Sequence, residues 1–579
     1  MKSVAGITVS LTVLGLLAGC TKGDPRVAAT PPAPPAPTCP SNDSGLTLTP
    51  GFCATIFADN IGHARHMAVS PQGVVYVNTW SGQYYGNDTP PEGGFIVALQ
   101  DKDGDGKAEQ IDRIGATFKE KATGGTGIAL YNGALYAEQN DGILKFPLDG
   151  TNAIPTGKGE KVVSGFPMSG DHFMHPFVID PQGNLYVNSG SGSNNCESPA
   201  RQPGAKGRNP CTELETRGGI WLYDANKTNQ RFSPQQRYAT GIRNAGGLSF
   251  GADGTLYATQ HGRDQLPENW PKLYTPTEGR ELPAEVLFVV EKDGDYGWPY
   301  CYYDGKLRRN VKAPEYGGDG KDPGDCAEKR QPAAVFPAHW APNDVAIYNG
   351  TQFPQAFRGG AFIAFHGSWN RAPGPQGGYS VVFQPLLEKS ASDPYVVFAD
   401  GFAGAEKAPG RAEHRPAGLA VGPDGALYIA DDVKGRIWRV THLGGTAPSA
   451  VAPAPAPATP AAGAGSGAIA LADLAPPPGS SAEQLALGEK VFRGQQSGGT
   501  CTGCHGSDGR GTQVGPDLTN GKWLWSDGSV NGIKQTILKG VTAAKQSIGA
   551  MPPKGAAPLT DADVDAVAAY VYAIGHRAK

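Results

Sequence analysis

Cys501, Thr502, Gly503, Cys504 and His505 set two thiols three residues apart with an imidazole directly behind them. That spacing serves covalent c-type haem attachment: the two cysteines take the thioether bonds and the histidine turns back to ligate iron. A zinc half-site would need a second Cys/His pair nearby, and beyond His505 the only later Cys or His is His576. A second axial ligand is expected downstream, where the one methionine is Met551, in the run Gly549 to Pro553. Such a chain carries electrons, so the rest of it must supply a source for them.

The nine cysteines partition without remainder. Cys501 and Cys504 go to haem. Cys20 closes the run Leu17, Ala18, Gly19, Cys20 behind an apolar stretch from Val4 that is too short for a settled membrane span. That tetrapeptide resembles a bacterial lipobox, which implies cleavage before Cys20, lipidation of its thiol and residence on the periplasmic face of a membrane. Thr21 in place of aspartate slightly favours the outer membrane. Six cysteines then remain in an oxidising compartment, where disulfides are expected. Sequence proximity suggests Cys39 with Cys53, Cys196 with Cys211 and Cys301 with Cys326, out of about 15 connectivities that six cysteines allow.

At 579 residues, with 82 Gly and 50 Pro, the chain is turn-rich and long enough for several domains. Its net charge of -4 gives no electrostatic case for nucleic acid. Two Ala/Pro-rich runs punctuate it, one up to Thr38 and one from Thr446 to about Ser480. Proline-rich segments are semi-rigid spacers. The reading is a signal peptide over 1–19, a tether over 20–38, a catalytic body over 39–445, a linker over 446–480 and a small helical domain over 481–579. Ser481 with Gln484, and Thr560 with Asp561 and Asp563, open helices in that last domain.

The body repeats a tight turn feeding an apolar strand: Pro71 to Val77, Tyr131 to Ala137, Pro181 to Val187, Ala252 to Ala258 and Pro423 to Ile429, with a degenerate copy from Phe357 to Ile363. Six copies predict an all-β six-bladed propeller of four-stranded blades, closed by pairing a strand near 46–57 with one near 435–441. The wide gap between the fourth and fifth copies, holding Cys301 and Cys326, predicts an elaborated loop region over one face. A separate acidic run offers oxygens from Asp101, Asp103, Asp105, Glu109 and Asp112 with Gly106 between them, in EF-hand-like spacing. Flanking helices are not evident, so a calcium loop and a solvated acidic hairpin turn both fit.

Leu487, Gly488, Glu489, Val491 and Phe492, then Gly515 to Thr519 after the haem motif, resemble class I c-type cytochromes. The resemblance implies His505 and Met551 as axial ligands, with Pro516 beside the histidine; Trp523, Leu524 and Trp525 look most like cytochrome subunits of bacterial oxidases.

Within the body, Gly170, Asp171, His172, the run Gly241 to Leu248, and Tyr296 to Pro299 resemble the glucose/sorbosone dehydrogenase family of pyrroloquinoline quinone (PQQ) enzymes. His366 to Arg371 and Arg415 to Ala420 are similar to its sorbosone-type branch. The resemblance implies PQQ and calcium as cofactors beside haem c. It implies His172 as the general base with Asp171 beside it, and Arg243 and Asn244 as quinone contacts with Arg243 polarising the carbonyl. It also implies Asn370, Arg371 and Arg415 as further contacts, and the backbone carbonyls of Gly262 and Arg263 as calcium donors. A neutral imidazole suits abstraction of a hydroxyl proton near neutral pH, and a guanidinium fork suits a carboxylate-bearing quinone.

The leading reading is oxidation of a sugar or aldehyde substrate by hydride transfer to PQQ, with electrons passing to the attached haem and on to a downstream cytochrome, oxidase or quinone acceptor. The membrane would be reached through the lipid anchor alone. Two rivals stay open. A calcium-dependent lactone hydrolase on the same propeller would leave Arg243 and Arg415 without work, and a non-catalytic propeller would only dock a redox partner.

Overall fold

A Gly in the left-handed region ends the first strand of each blade and turns the chain into the second: φ is 84° at Gly73, 87° at Gly183, 79° at Gly254 and 85° at Gly425. The turn residues are followed by apolar strands, of which Leu427–Asp431 and Val75–Thr79 are fully buried. Strands with such unbroken burial need cover on both faces, which neighbouring blades provide.

The computed structural model describes residues 39, 44–79, 94–115, 124–149, 153–155, 157–371, 374–444, 469, 471–493, 496–497, 501–505, 509–511, 515–541, 551, 553–557 and 559–577. Cys20, the signal segment, the tether and most of the second linker lie outside the described residues.

Six sheets, each with a four-stranded antiparallel core, form a six-bladed propeller. Blade one is Ala64–Val69, Val75–Thr79, Ile96–Gln100 and Gln110–Ile114. Blade two is Gly124–Tyr131, Ala134–Gln139, Gly142–Pro147 and Glu160–Ser164. Blade three is Phe177–Ile179, Asn184–Ser189, Gly219–Asp224 and Arg237–Thr240. Blade four is Leu248–Phe250, Leu256–Gln260, Glu285–Val290 and Ala334–Phe336. Blade five is Pro342–Ile347, Ala361–Phe365, Ser380–Gln384 and Val396–Asp400. Blade six is Pro416–Val421, Leu427–Asp431 and Ile437–His442, completed by Phe52–Ala58 from the start of the body. That last pairing, Phe52 opposite His442 through Ala58 opposite Ile437, closes the ring near the expected place. Closure leaves no open sheet edge between the first and last blades.

Antiparallel order sorts the loops by face. Loops joining second to third strands, and one blade to the next, share one end of the propeller; the repeated turns occupy the other. The long insert between Val290 and Ala334 starts at the turn end but climbs back along the outer strand of blade three. Asp293 N–H donates to the Tyr238 carbonyl at 2.8 Å, and Trp298 N–H to the Gly241 carbonyl at 2.9 Å. Disulfides join Cys39 with Cys53, Cys196 with Cys211 and Cys301 with Cys326, the pairs expected from proximity.

The helical region has helices at Ala482–Phe492, Cys501–His505, Val530–Lys539 and Asp561–Gly575. Ser481 Oγ accepts from Gln484 N–H, and Thr560 and Asp563 cap each other reciprocally. The first and last of these helices cross at Gly488, where a Cβ would stand 2.1 Å from the Ala566 carbonyl oxygen; only glycine lets the backbones approach so closely. The crossing buries Phe492 against Tyr570, ring centroids 5.4 Å apart. Propeller and helical region belong to one compact unit, residues 39–579.

Candidate active site and haem cleft

The end of the propeller opposite the repeated turns gathers the residues singled out above. His172 leads into blade three, and the chain after that blade's second strand passes beneath it. Gly190 makes this possible, because a Cβ there would lie 2.6 Å from His172 Cβ and 2.7 Å from Asn244 Oδ1. His172 Nδ1 lies 2.9 Å from Ser191 Oγ and 3.3 Å from the Ser191 carbonyl oxygen. A carbonyl only accepts, so Nδ1 carries the proton and Nε2 keeps its lone pair. Burial, then the Arg243 charge, push the His172 pKa down to about 3, and the imidazole is neutral at ordinary pH.

Arg243 is buried and held on four sides. Nε donates to the Asn194 carbonyl at 2.9 Å, Nη1 to the Gly262 carbonyl at 2.8 Å, and Nη2 to Asn194 Oδ1 at 3.1 Å and Asp264 Oδ2 at 3.3 Å. One of its five N–H donors is left over. Asn244 Oδ1 accepts from Asn188 Nδ2 at 3.1 Å, but its buried Nδ2 has no partner among the described residues; nor has Asn370 Oδ1. Buried polar groups are nearly always satisfied, so an orphaned donor and an orphaned acceptor at one site mark where a polar ligand would bind.

Two side chains that sequence reasoning missed tie this site together. Asp264 Oδ1 accepts from Asn370 Nδ2 at 2.7 Å, and its Oδ2 faces Arg243 and Arg201. Arg201 also pairs with Asp171 at 2.5 Å. Burial raises the Asp264 pKa, but Arg243 and Arg201 outweigh it and hold the carboxyl at about 2. Asp171 is likewise held below the usual range, Arg201 overcoming the cost of burial. A second histidine, His261, has its ring 6.5 Å from that of His172 and its Nε2 3.0 Å from the Pro342 carbonyl oxygen. No motif gives a role to Arg201 or to the Asp264 side chain, since each lies in an irregular loop.

Other expected residues are placed differently. Arg371 follows Asn370 in sequence but turns away: Nη1 donates to the Arg280 and Ala338 carbonyls, both at 2.8 Å, and Nη2 to Glu281 Oε1 at 3.1 Å. It braces the loop behind the site. Arg415 Nε and Nη2 donate to the His366 and Gly367 carbonyls at 2.9 and 2.8 Å, beside a buried Arg65, Asp432 and His366 cluster. Gly262 O carries the Arg243 hydrogen bond, leaving the carbonyl's second lone pair for a cation. The Arg263 side chain is buried on Glu315 at 2.5 Å.

The acidic loop joins the third and fourth strands of blade one, so it leaves the face opposite the site. Ligand oxygens of Asp101, Asp103, Asp105 and Glu109 lie within 4.8 Å of one another. Asp112 is not among them. It sits on Gln110–Ile114, where side chains alternate, and takes a bond from Gln110 Nε2 at 2.5 Å.

In the helical region a cleft is lined by Cys501, Cys504, His505 and Met551 together with apolar residues such as Phe492, Ile537 and Val571. Neither cysteine is in a disulfide. His505 Nδ1 lies 2.9 Å from the Pro516 carbonyl oxygen, which again fixes the proton on Nδ1 and leaves Nε2 for a metal. Met551 is pinned by paired backbone bonds with Val541 at 2.6 and 2.9 Å. An apolar cleft with two thiols, an imidazole and a thioether fits a c-type haem. The Cys504 sulfur also lies within electrostatic range of Arg201 and Asp264, so the attachment helix stands near the mouth of the propeller site.

The TrAA12-like family model matches residues 46–443. The chain belongs to that family. Residues 483–571 match the subunit III model of cbb3-type cytochrome c oxidase. Among solved structures, the TrAA12-like propeller is similar to an iodide structure of Trichoderma reesei Carbohydrate-Active Enzymes Family AA12, with TM-score 0.54 and 17% identity over 69% of this chain and 97% of that one. The holo form of the Pyranose Dehydrogenase PQQ domain from Coprinopsis cinerea gives TM-score 0.53 and 18% identity, over 70% and 99%. At these identities the likeness is one of fold. A cbb3-type cytochrome c oxidase subunit CcoP from Rubrivivax gelatinosus is 38% identical over 92 residues, 16% of this chain and 26% of that one. An uncharacterized protein from Borreliella burgdorferi is 29% identical over 215 residues, 37% and 50%. The chain thus spans about a quarter of the length of the CcoP relative and about half of the length of the Borreliella burgdorferi protein.

Proposed function

We propose that this chain is a PQQ-dependent dehydrogenase of a sugar or sorbosone-like aldehyde that hands its electrons to its own haem c. The observation that carries the reading is the pairing of a neutral, Nε2-available His172 with the unsatisfied Asn244 Nδ2 and Asn370 Oδ1 on the face that the haem-attachment helix approaches. PQQ, when bound, supplies an electrophilic quinone carbonyl that accepts a hydride, and haem supplies a one-electron acceptor.

His172 Nε2 takes the proton from the substrate hydroxyl as the hydride departs, which is general-base catalysis. Ser191 holds the ring in the tautomer that allows it. Arg243 and Asn244 orient the quinone and place positive charge where negative charge develops. Gly262 and Arg263 offer carbonyls to a calcium ion, and Arg415 holds the His366 loop at the rim. His505 and Met551 are the iron ligands, with Cys501 and Cys504 as the covalent attachments. The acidic loop on the far face is either a structural calcium loop or a solvated turn. The lipobox resemblance supports anchoring through Cys20 on the periplasmic face of a membrane. The relation to CcoP supports a cytochrome or an oxidase as the next acceptor.

The lactonase reading leaves the haem cleft and the Arg243 fork without work. Titrating the haem-loaded chain with PQQ in calcium buffer separates the readings: saturable binding with sugar- or aldehyde-dependent dye reduction supports the dehydrogenase, and absence of any PQQ binding rejects it.

A further inference from the structure

The chain of charges across the site runs Asp171, Arg201, Asp264, Arg243, and its members come from four separate loops of the propeller. Arg201 sits near the tip of a strap, residues 196–211, closed by the Cys196–Cys211 disulfide. It is held in the left-handed region with φ of 55°, and its backbone N–H is bound by Glu197 Oε1 at 2.8 Å. A non-glycine residue in that conformation is over-determined by its surroundings. Asp264 comes from the loop after the second strand of blade four, and Asn370 from the matching loop of blade five. Asp264 is also pinned through its own backbone: its N–H donates to Asn194 Oδ1 at 2.9 Å, and its carbonyl accepts from Asn194 Nδ2 at 2.9 Å and Arg263 Nη2 at 3.0 Å. Its side chain is 14% exposed. One fixed carboxylate therefore touches Arg243, Asn370 and Arg201 together.

Charge alone makes this placement odd. PQQ carries three carboxylates, and a carboxylate in the wall of its site repels them. The residue is intelligible if its work is geometric. We propose that Asp264 is a positioning residue for the quinone site: its two oxygens hold the Arg243 fork and the Asn370 amide in register, with Asn370 Oδ1 left open toward the ligand, while the disulfide-closed strap fixes Asp264 through Arg201. The inference rests on the PQQ reading above.

The two roles predict opposite signs. As a mere charge, Asp264 weakens PQQ binding, so Asp264→Asn would tighten it. As a positioning residue, it cannot be neutralised without loosening the Arg243 fork, so Asp264→Asn weakens binding. The size expected for removing one partner of a buried hydrogen-bonded ion pair is about 30-fold or more in Kd.

The measurement is PQQ titration of the full haem-loaded chain, wild type against Asp264→Asn and Asp264→Ala, with the haem spectrum and thermal transition as checks on folding. Asparagine matches aspartate in size and keeps an acceptor for Asn370, so it tests the idea even where alanine fails to fold. In an Arg243→Gln background, adding Asp264→Asn should cost less than about twofold, because residues acting through one another are non-additive. Weakened binding in the single variant with this non-additivity supports the inference. Unchanged or tighter binding by a folded Asp264→Asn overturns it and leaves the PQQ reading standing, whereas a wild-type chain that binds no PQQ overturns both.

Discussion

His172 should remain a competent base well into acid. An ordinary histidine with a pKa near 6.5 is about 90% protonated at pH 5.5, whereas one held at about 3 is less than about 1% protonated there. Two features of the site produce the shift: burial against the loops that carry Ser191 and Asn244, and the guanidinium of Arg243. The assay is kcat/KM of the PQQ-reconstituted enzyme with sugar and a small dye acceptor, from pH 7.5 down to 5, with His172→Gln as reference. No loss assignable to an imidazole is expected across that range, and His172→Gln should be slower by about 10² to 10⁴ throughout. A decline of tenfold per pH unit beginning near 6.5, absent in the variant, would refute the assigned environment. The same shift has a stability consequence. The unfolded chain binds a proton at this histidine between about pH 6.5 and 3 while the folded chain does not, so the group's contribution favours folding increasingly as pH rises through that window.

Met551→Ala should remove the thioether-to-iron absorption of the ferric protein and lower its reduction potential, since methionine ligation raises it; an unchanged spectrum would point to another sixth ligand such as His576. Arg263→Met strands Glu315, whose other bonds come from Trp270 Nε1 and Asn195 Nδ2, and should destabilise the propeller by about 3 to 5 kcal/mol, read as a lowered urea midpoint; a change under about 1 kcal/mol would show that the pair is relaxed by solvent.

Much of the fold was legible because it is written in local chemistry. Turns such as Pro423-Asp424-Gly425 need a glycine at a positive φ, so they mark every blade, and Thr560 with Asp563 marks a helix start. The haem cleft was equally legible, since c-type attachment is contiguous and Met551 is the one methionine downstream of it. The quinone site was harder. The family resemblance implies Arg371 as a contact beside Asn370, yet neighbouring side chains point apart and Arg371 donates to the Arg280 and Ala338 carbonyls. Asp264 and Arg201 escaped notice because their meaning lies in contacts with residues 21 to 106 positions away. Asp112 failed to join the acidic loop because strand geometry, not spacing, decides where its carboxylate goes.

Both domains share one chain, and the Cys504 sulfur lies within reach of the charges at the mouth of the propeller site. A tethered acceptor has an effective concentration of about millimolar, so its reduction does not depend on enzyme concentration. The direct test is rapid mixing of the PQQ- and haem-loaded protein with sugar substrate, following haem reduction before and after an about tenfold dilution of enzyme. The account predicts the same first-order rate at both concentrations. A rate that falls in proportion to dilution would show that electrons pass between molecules, and would contradict the claim that this chain delivers them to its own haem.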